Sequence, residues 1–343
     1  MLDGPQWFMR WSPLVWVIIA VAARAQNASG PPFPAPGRLI DLGGWRLHLN
    51  CSGQANPSRG AVILEAGAGD FSVDWSLVQP LVAAFARVCS YDRAGAGWSD
   101  LGPRPRTMRQ QVWELHALLE KAGEKPPFVL VGHSYGGWLA RLFAETYPAV
   151  VSGLVLVESG AEDPLRIVDD KVKHASELAK GQPVPPVKTS DPLRESDIPP
   201  RIVALIQSSI RGMGGHFNDP PRDKLPPEAR RMREWSLSQI KHAVSNDNPF
   251  EADELVAMLA ERQKKKNVLG NLPLIVISRG LVDEEGPQTV EREDAHRKDQ
   301  AALATLSRAG KQIVAAKSGH HVPIDDPGLV ASAIRETIQT VRR

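Results

Sequence analysis

One five-residue segment in the middle of the chain carries the clearest chemical pattern. Gly132–Gly136, of sequence Gly-His-Ser-Tyr-Gly, follows the apolar run Phe128–Val131 and precedes a predicted helix over 137–147. A Gly-x-Ser-x-Gly pattern between a strand and a helix predicts a sharp turn that lifts the serine hydroxyl above the sheet. The glycines suit this turn because a side chain would collide where the strand and the helix cross. Ser134 is therefore the candidate nucleophile.

A serine hydroxyl becomes an effective nucleophile only with help from neighbouring groups. A histidine within hydrogen-bond reach removes its proton, and imidazole suits this task because its pKa lies near the working pH. A carboxylate holds the imidazole in one tautomer and stabilises the protonated ring. Two backbone N–H groups must face the developing oxyanion, each contributing roughly 3–4 kcal/mol.

The elements that would position these residues alternate between strands and helices. Short apolar segments, continuous and rich in β-branched residues, are typical of strands buried on both faces of a parallel sheet. Eight strands are predicted, the first two forming a hairpin around Gly43-Gly44: 38–41, 45–49, 61–65, 87–91, 128–131, 153–157, 274–278 and 312–316. Helices are predicted over 74–85, 106–122, 137–147, 294–308 and 326–342. This alternation predicts an α/β fold with a mostly parallel eight-stranded sheet and helices on both faces.

The alternation is interrupted between residues 161 and 270, where the sequence offers polar helical stretches and proline-rich joints but no strand. A structureless loop of that length is implausible inside a compact domain, so we expect a helical cap inserted into the core. Its predicted helices cover 164–180, 199–213, 226–245 and 250–266. The core would then consist of residues 38–160 and 271–343.

The N-terminus is typical of an exported protein. Arg10 precedes an apolar run over 11–23, and Ala23-Arg24-Ala25 follows as a small-residue cleavage site. The run is shorter than the roughly 20 apolar residues of a transmembrane helix. We therefore predict a signal peptide over 1–25 and a Pro/Gly-rich linker over 26–37, with export to the periplasm or the cell exterior. An uncleaved anchor is the alternative, and after cleavage no stable membrane insertion is expected.

Composition and cysteine content narrow the class further. The 343 residues carry 41 basic and 39 acidic side chains, a net charge of +2, which does not favour binding to nucleic acid. The two cysteines, Cys51 and Cys89, lie in predicted strands. In an oxidising compartment such a pair forms a disulfide, and the alternative is two buried thiols that pack as small apolar groups.

Three further segments, together with the Ser134 turn, make the sequence similar to the α/β-hydrolase superfamily with a helical cap. Glu65–Gly69 stands where that family has its oxyanion loop, with Ala66 in place of the family's histidine. Ser90–Asp100 is similar to its Asp-Arg-x-Gly-x-Gly-x-Ser loop, and Ser318–Pro327 to its Gly-His-x-x-x-x-Asp-x-Pro loop. The resemblance covers residues 38–341 and implies a hydrolase that acts on a small molecule.

The resemblance also implies roles for particular residues. In the histidine loop the adjacent His320 and His321 compete as bases, and only one should reach Ser134 because successive side chains in an extended loop point to opposite sides. His320 follows Gly319 as the family's catalytic histidine does, which favours it over His321 as the base. The oxyanion donors would be the backbone amides of Ala68 and Tyr135. The acid has two candidates, since most of the family carries it in the loop of Asp283 and a minority at the position of Glu158, after the preceding strand. We prefer Glu158 and keep Asp283 as its rival.

The expected activity is that of a serine hydrolase cleaving carboxylic esters, with amides or lactones as further substrates, through an acyl-enzyme. A peptidase or hydroxynitrile-lyase type of reaction on the same fold, or a non-catalytic ligand-binding protein, are the alternatives. The histidines form no ligand-spaced cluster with cysteine or carboxylates, so no metal is expected. Gly67-Ala68-Gly69 lacks the Walker lysine and the dinucleotide fingerprint, so no cofactor is expected either.

Overall fold

The computed structural model describes residues 32–55, 60–168, 171–214, 216–245, 247–282 and 289–341. The predicted signal peptide and Asp283 lie outside these ranges. Eight strands form one sheet in the order β1-β2-β4-β3-β5-β6-β9-β10. These are β1 (Arg38–Asp41), β2 (Arg46–Ser52), β3 (Val62–Glu65), β4 (Val88–Tyr91), β5 (Phe128–His133), β6 (Val151–Val157), β9 (Leu274–Arg279) and β10 (Gly310–Ala315).

The sheet is parallel apart from β1 and β2 at one edge. β2 pairs antiparallel with both β1 and β4, whereas the remaining neighbours pair in parallel. The fold prediction, a mostly parallel eight-stranded sheet of the α/β-hydrolase type, is confirmed. Cys51 of β2 lies opposite Cys89 of β4, and a disulfide joins them, which decides the choice that the sequence left open.

Helices cover both faces of the sheet, as the strand sequences require. Side chains at successive strand positions point to opposite faces, so Leu130 of β5 enters one apolar cluster and Val129 and Val131 enter the other. The first cluster includes residues of α2 (Met108–Ala122) and α3 (Tyr135–Thr146), and the second includes residues of α1 (Gln79–Ala83) and α11 (Pro327–Thr340). The remaining helices of this part are α9 (Thr289–Ala304) and α10 (Val322–Asp325).

Residues 161–273, called the insertion below, connect β6 to β9 in the interval where the sequence predicts the cap. Its helices are α4 (Ala175–Leu178), α5 (Pro200–Gly212), α6 (Pro227–Leu237), α7 (Ile240–Ala243) and α8 (Glu251–Lys264). The predicted helix over 164–180 is wrong: β7 (Leu165–Val168) pairs antiparallel with β8 (Lys171–His174). Alternation of apolar and polar residues is limited to 165–167 and 171–173, too short a stretch to mark strands by itself.

The described residues also form short 3-10 turns: Ser72–Trp75, Pro148–Val150, Glu195–Asp197, His216–Asn218 and Arg222–Lys224. Among the residues that the structure describes, no helix has the length and apolar character needed to cross a membrane. The carboxyl ends of β3, β5, β6 and β9 meet at one edge of the sheet because these strands are parallel neighbours. Residues that follow these strands are therefore brought together.

Candidate active site

Ser134 occupies the sharp turn between β5 and α3 in a backbone conformation that side chains rarely adopt. Its φ is 51° and its ψ is −118°, and the turn is anchored by the Ser134 N–H, which donates to the Val157 carbonyl at 3.1 Å. Neither flanking glycine, Gly132 or Gly136, has room for a side chain. A Cβ on Gly132 would lie 2.4 Å from the Gly136 carbonyl oxygen, and one on Gly136 would lie 2.4 Å from that of Glu65. The tight crossing inferred from the sequence is present.

His320 reaches this serine from the loop between β10 and α10. Its Nε2 lies 3.1 Å from the Ser134 Oγ, within hydrogen-bond distance. His133 supports the loop over 318–327 that carries His320, because the His133 Nε2 donates to the His320 carbonyl at 3.0 Å. Both rings lie near His133, with ring centroids 5.1 Å away for His320 and 5.6 Å away for His321. Of the two adjacent histidines, His320 is the one whose ring is hydrogen-bonded to Ser134.

Glu158 follows β6 directly and is almost completely buried, with 1% of its side chain exposed. Its φ of 46° turns the chain sharply at the end of the strand. The Oε1 atom of Glu158 lies 3.7 Å from the Nδ1 of His320, on the side of the ring opposite Ser134. The rival acid, Asp283, lies outside the described residues, so the structure compares only one of the two candidates with His320.

Two residues that the sequence analysis did not select hold the Glu158 carboxylate. Arg279, the last residue of β9, donates its backbone N–H to Oε2 at 2.8 Å and its guanidinium to Oε1 at 2.5 Å. The Nε2 of His296, on α9, lies 2.9 Å from Oε1. Because β6 and β9 are neighbours that pair in parallel, an arginine at the end of β9 was a signal available in the sequence.

These contacts set the charge of the Glu158 carboxyl. Burial by itself would raise its pKa, but the close imidazole of His296, the nearby ring of His320 and the hydrogen bond from the backbone N–H of Arg279 outweigh burial and hold the pKa well below its usual range. Glu158 is therefore ionised near neutral pH. An ionised carboxylate is the form that stabilises a protonated imidazole.

The loop after β3 places Ala68 at the mouth of the site. Its turn is closed by the N–H of Asp70, which donates to the Gly67 carbonyl at 3.2 Å. Tyr135 is the first residue of α3, directly after Ser134. Ala68 and Tyr135 line the same cavity as Ser134 and His320. Both predicted oxyanion donors thus border the space in front of the serine hydroxyl.

Arg93, from the Asp-Arg-x-Gly-x-Gly segment, fixes the loop that carries Ala68. Its buried guanidinium donates to the Ala66 carbonyl at 2.7 Å and to the Gly67 carbonyl at 2.5 Å. The same group pairs with the Glu65 carboxylate at 2.6 Å. The loop is therefore supported although Ala66 stands where the family has a histidine, because the side chain of Arg93 supplies the hydrogen bonds.

The cavity in front of Ser134 has a volume of about 370 Å³ and mixes apolar and charged walls. The insertion contributes to its lining, as do α3 and α9. Its aromatic wall is Trp138 and Tyr135, and its charged lining includes Glu251, Arg279, Glu293 and Asp299. A space of this size suits a small organic molecule better than a polymer.

A second cluster of titratable groups lies behind the serine. Potential ligand atoms of Asp70, His133 and His321 lie within 4.8 Å of one another. The Asp70 carboxylate is already paired with Arg233 at 3.0 Å and Arg222 at 3.2 Å. Two guanidinium groups oppose a further cation at this carboxylate, so the cluster is better described as an ion-pair network between the insertion and the core.

Comparisons with known proteins agree with this fold. The model of the alpha/beta hydrolase family matches residues 62–333. An AB hydrolase superfamily protein of Gibberella zeae is 28% identical over 333 aligned residues, covering 87% of this chain and 92% of the relative. The chain therefore belongs to the alpha/beta hydrolase family and is a hydrolase.

Solved structures show the same fold at low sequence identity. A thermophilic esterase from Thermogutta terrifontis superimposes with a TM-score of 0.59 at 19% identity, covering 89% of this chain and 99% of the esterase. The epoxide hydrolase CorEH superimposes with a TM-score of 0.56 at 17% identity, covering 89% of this chain and 98% of that protein. At these identities the likeness concerns the fold alone.

Proposed function

We propose that this protein is a serine hydrolase that cleaves carboxylic esters of small molecules through an acyl-enzyme. The observation that carries the proposal is the 3.1 Å contact between the His320 Nε2 and the Ser134 Oγ, with the Glu158 carboxylate beyond the other ring nitrogen. A nucleophile, a base and an orienting acid in this order are the parts that acyl transfer needs. Amides and lactones follow the same chemistry.

The proposed reaction begins when the Ser134 oxygen attacks the ester carbonyl carbon and its proton moves to the Nε2 of His320. The ionised Glu158 stabilises the imidazolium that forms. The oxyanion of the tetrahedral intermediate accepts hydrogen bonds from the amides of Ala68 and Tyr135. His320 then protonates the leaving alcohol, and a water activated by the same imidazole hydrolyses the acyl-enzyme and frees Ser134.

A fluorophosphonate probe tests this proposal directly, because it labels a serine only when that serine is activated. We expect one adduct on the wild-type protein, absent from Ser134→Ala and much slower to form in His320→Gln. Hydrolysis of p-nitrophenyl esters of increasing acyl length should depend on the same two residues. A wild-type protein that forms no adduct would be a non-catalytic member of the fold, and the proposal would be wrong.

We also propose that the protein is exported after removal of residues 1–25. The pattern of Arg10, the apolar run and the Ala23-Arg24-Ala25 site supports this. The disulfide between Cys51 and Cys89 supports it independently, because such bonds persist in oxidising compartments. N-terminal sequencing of the protein recovered from a secreting host should begin at Gln26. A mature protein that starts at Met1 would contradict the proposal.

A further inference from the structure

Two parts of the protein hold the turn that carries Ala68: the core on one side and the insertion on the other. The Ala68 N–H belongs to the same planar peptide group as the Gly67 carbonyl, so whatever orients that carbonyl also aims the N–H. The core fixes this side of the turn through the contact of Arg93 with the Gly67 oxygen at 2.5 Å. Gly69, the next turn residue, has a left-handed φ of 71°.

The insertion fixes the other side through His242 on α7. The Nε2 of His242 lies 3.1 Å from the Gly69 carbonyl oxygen, and its Nδ1 lies 2.9 Å from the Ser236 Oγ. The Gly97 N–H also donates to that Oγ, at 2.9 Å. A carbonyl only accepts, so Nε2 carries the proton, Nδ1 accepts the Ser236 hydroxyl proton, and the serine oxygen remains free to accept from Gly97.

This chain of three hydrogen bonds is shielded from water. Ser236 is fully buried and His242 is 5% exposed. Burial lowers the pKa of His242 to about 4, so the ring is neutral near pH 7 and keeps the single tautomer that the chain requires. Arg233 strengthens the same side by pairing with Asp70, the last residue of the turn, at 3.0 Å. Water cannot readily replace such buried contacts once they are lost.

We propose that His242 is a positioning residue of the oxyanion hole. By holding the Gly69 carbonyl, it fixes the turn that aims the Ala68 N–H at the oxygen of the attacked carbonyl. The insertion thus completes the catalytic apparatus as well as lining the cavity. This inference rests on the proposed function, since it assigns a part to the oxyanion hole of that acyl transfer.

The test replaces His242 by leucine, which keeps the volume but removes the donor, and by glutamine, whose amide can still donate to the carbonyl. The readouts are kcat and KM for a p-nitrophenyl ester and the Ki of an alkylboronic acid. The boronic acid forms a tetrahedral adduct with a catalytic serine and places an oxygen in the oxyanion hole, so it mimics the transition state.

We expect His242→Leu to lower kcat by about 10- to 100-fold, below the ~10²–10³ loss seen when a whole oxyanion donor is removed. The Ki should rise by about the same factor, while KM stays within about twofold. His242→Gln should recover most of both losses. A merely structural role would reduce the fraction of active protein, which lowers the apparent kcat but leaves the Ki unchanged.

Arg262→Met is the matched control, because it breaks another buried contact between the insertion and the core, Arg262 to Glu145 at 2.6 Å. It should lower the melting temperature and leave the Ki unchanged. If His242→Leu does not fold, Ser236→Ala removes the donor to Nδ1 and should raise the Ki at least about threefold. An unchanged Ki in the folded variant would overturn the inference alone. Absence of Ser134-dependent turnover in the wild type would instead overturn the proposed function, and the inference with it.

Discussion

Replacing Glu158 by glutamine is expected to lower kcat by about three orders of magnitude. Glutamine keeps the shape of the side chain but removes the negative charge that lies 3.7 Å from the Nδ1 of His320. At an effective dielectric constant of about 20, that charge stabilises the imidazolium by roughly 4–5 kcal/mol, and each 1.4 kcal/mol or so is a factor of ten in rate. The guanidinium of Arg279 acts on the imidazolium equally in the wild type and in Glu158→Gln, so it does not change the difference between them. In both proteins it also pairs with Glu293.

The assay is steady-state hydrolysis of a p-nitrophenyl ester, with the concentration of active sites measured by fluorophosphonate titration. Asp283→Asn serves as the paired variant because Asp283 is the rival acid, and it should retain kcat within about threefold. Thermal unfolding checks that both variants are folded. If Glu158→Gln keeps a kcat near that of the wild type while Asp283→Asn abolishes turnover, the assignment of the acid is wrong.

Two further predictions concern stability. The double variant Cys51→Ala/Cys89→Ala loses a disulfide between residues 38 positions apart in the chain. Its free energy of unfolding in urea should therefore fall by about 3–4 kcal/mol. Equal stability of the oxidised and the reduced wild type would contradict this. Glu158 has a folded pKa below its ordinary value of 4.5, so its contribution to stability is present above that pH and is lost as the pH falls further. Glu158→Gln should therefore flatten the dependence of unfolding free energy on pH below 4.5, and parallel curves for the two proteins would refute this.

The sheet was predictable because each buried strand is a continuous apolar segment. All eight strands occur where the sequence predicts them, and β1 and β2 form a hairpin on either side of Gly43-Gly44. The insertion was less predictable, since β7 and β8 are short and partly polar and were predicted as part of a helix. In such segments the local preference is weak, and the pairing of the two strands with each other decides the outcome.

The catalytic candidates differ in how far local sequence could identify them. The Ser134 turn is a local structure whose glycines are required by contacts within a few residues, and one across to Glu65. The supports of the site are distant in sequence. Arg279 lies 121 residues from Glu158, and His242 lies 173 residues from Gly69. Arg279 can be seen in the sequence at the end of a predicted strand, but that it meets Glu158 depends on β6 and β9 being neighbours. No local pattern marks the contact of His242 with Gly69, because the packing of separate elements creates it.

The sequence by itself determined the fold class and pointed to Ser134 as the candidate nucleophile, because apolar periodicity and a glycine-flanked turn act over short stretches of chain. The preference for His320 over His321 came from the resemblance of Ser318–Pro327 to the family's histidine loop. The tertiary structure decided which groups hold the Glu158 carboxylate, that Arg93 and His242 secure the turn of Ala68 from opposite sides, and that the two cysteines are joined. These depend on strand order and on how the insertion packs against the core. Buried polar groups must find partners wherever the chain brings them, and only the assembled fold determines which partners those are.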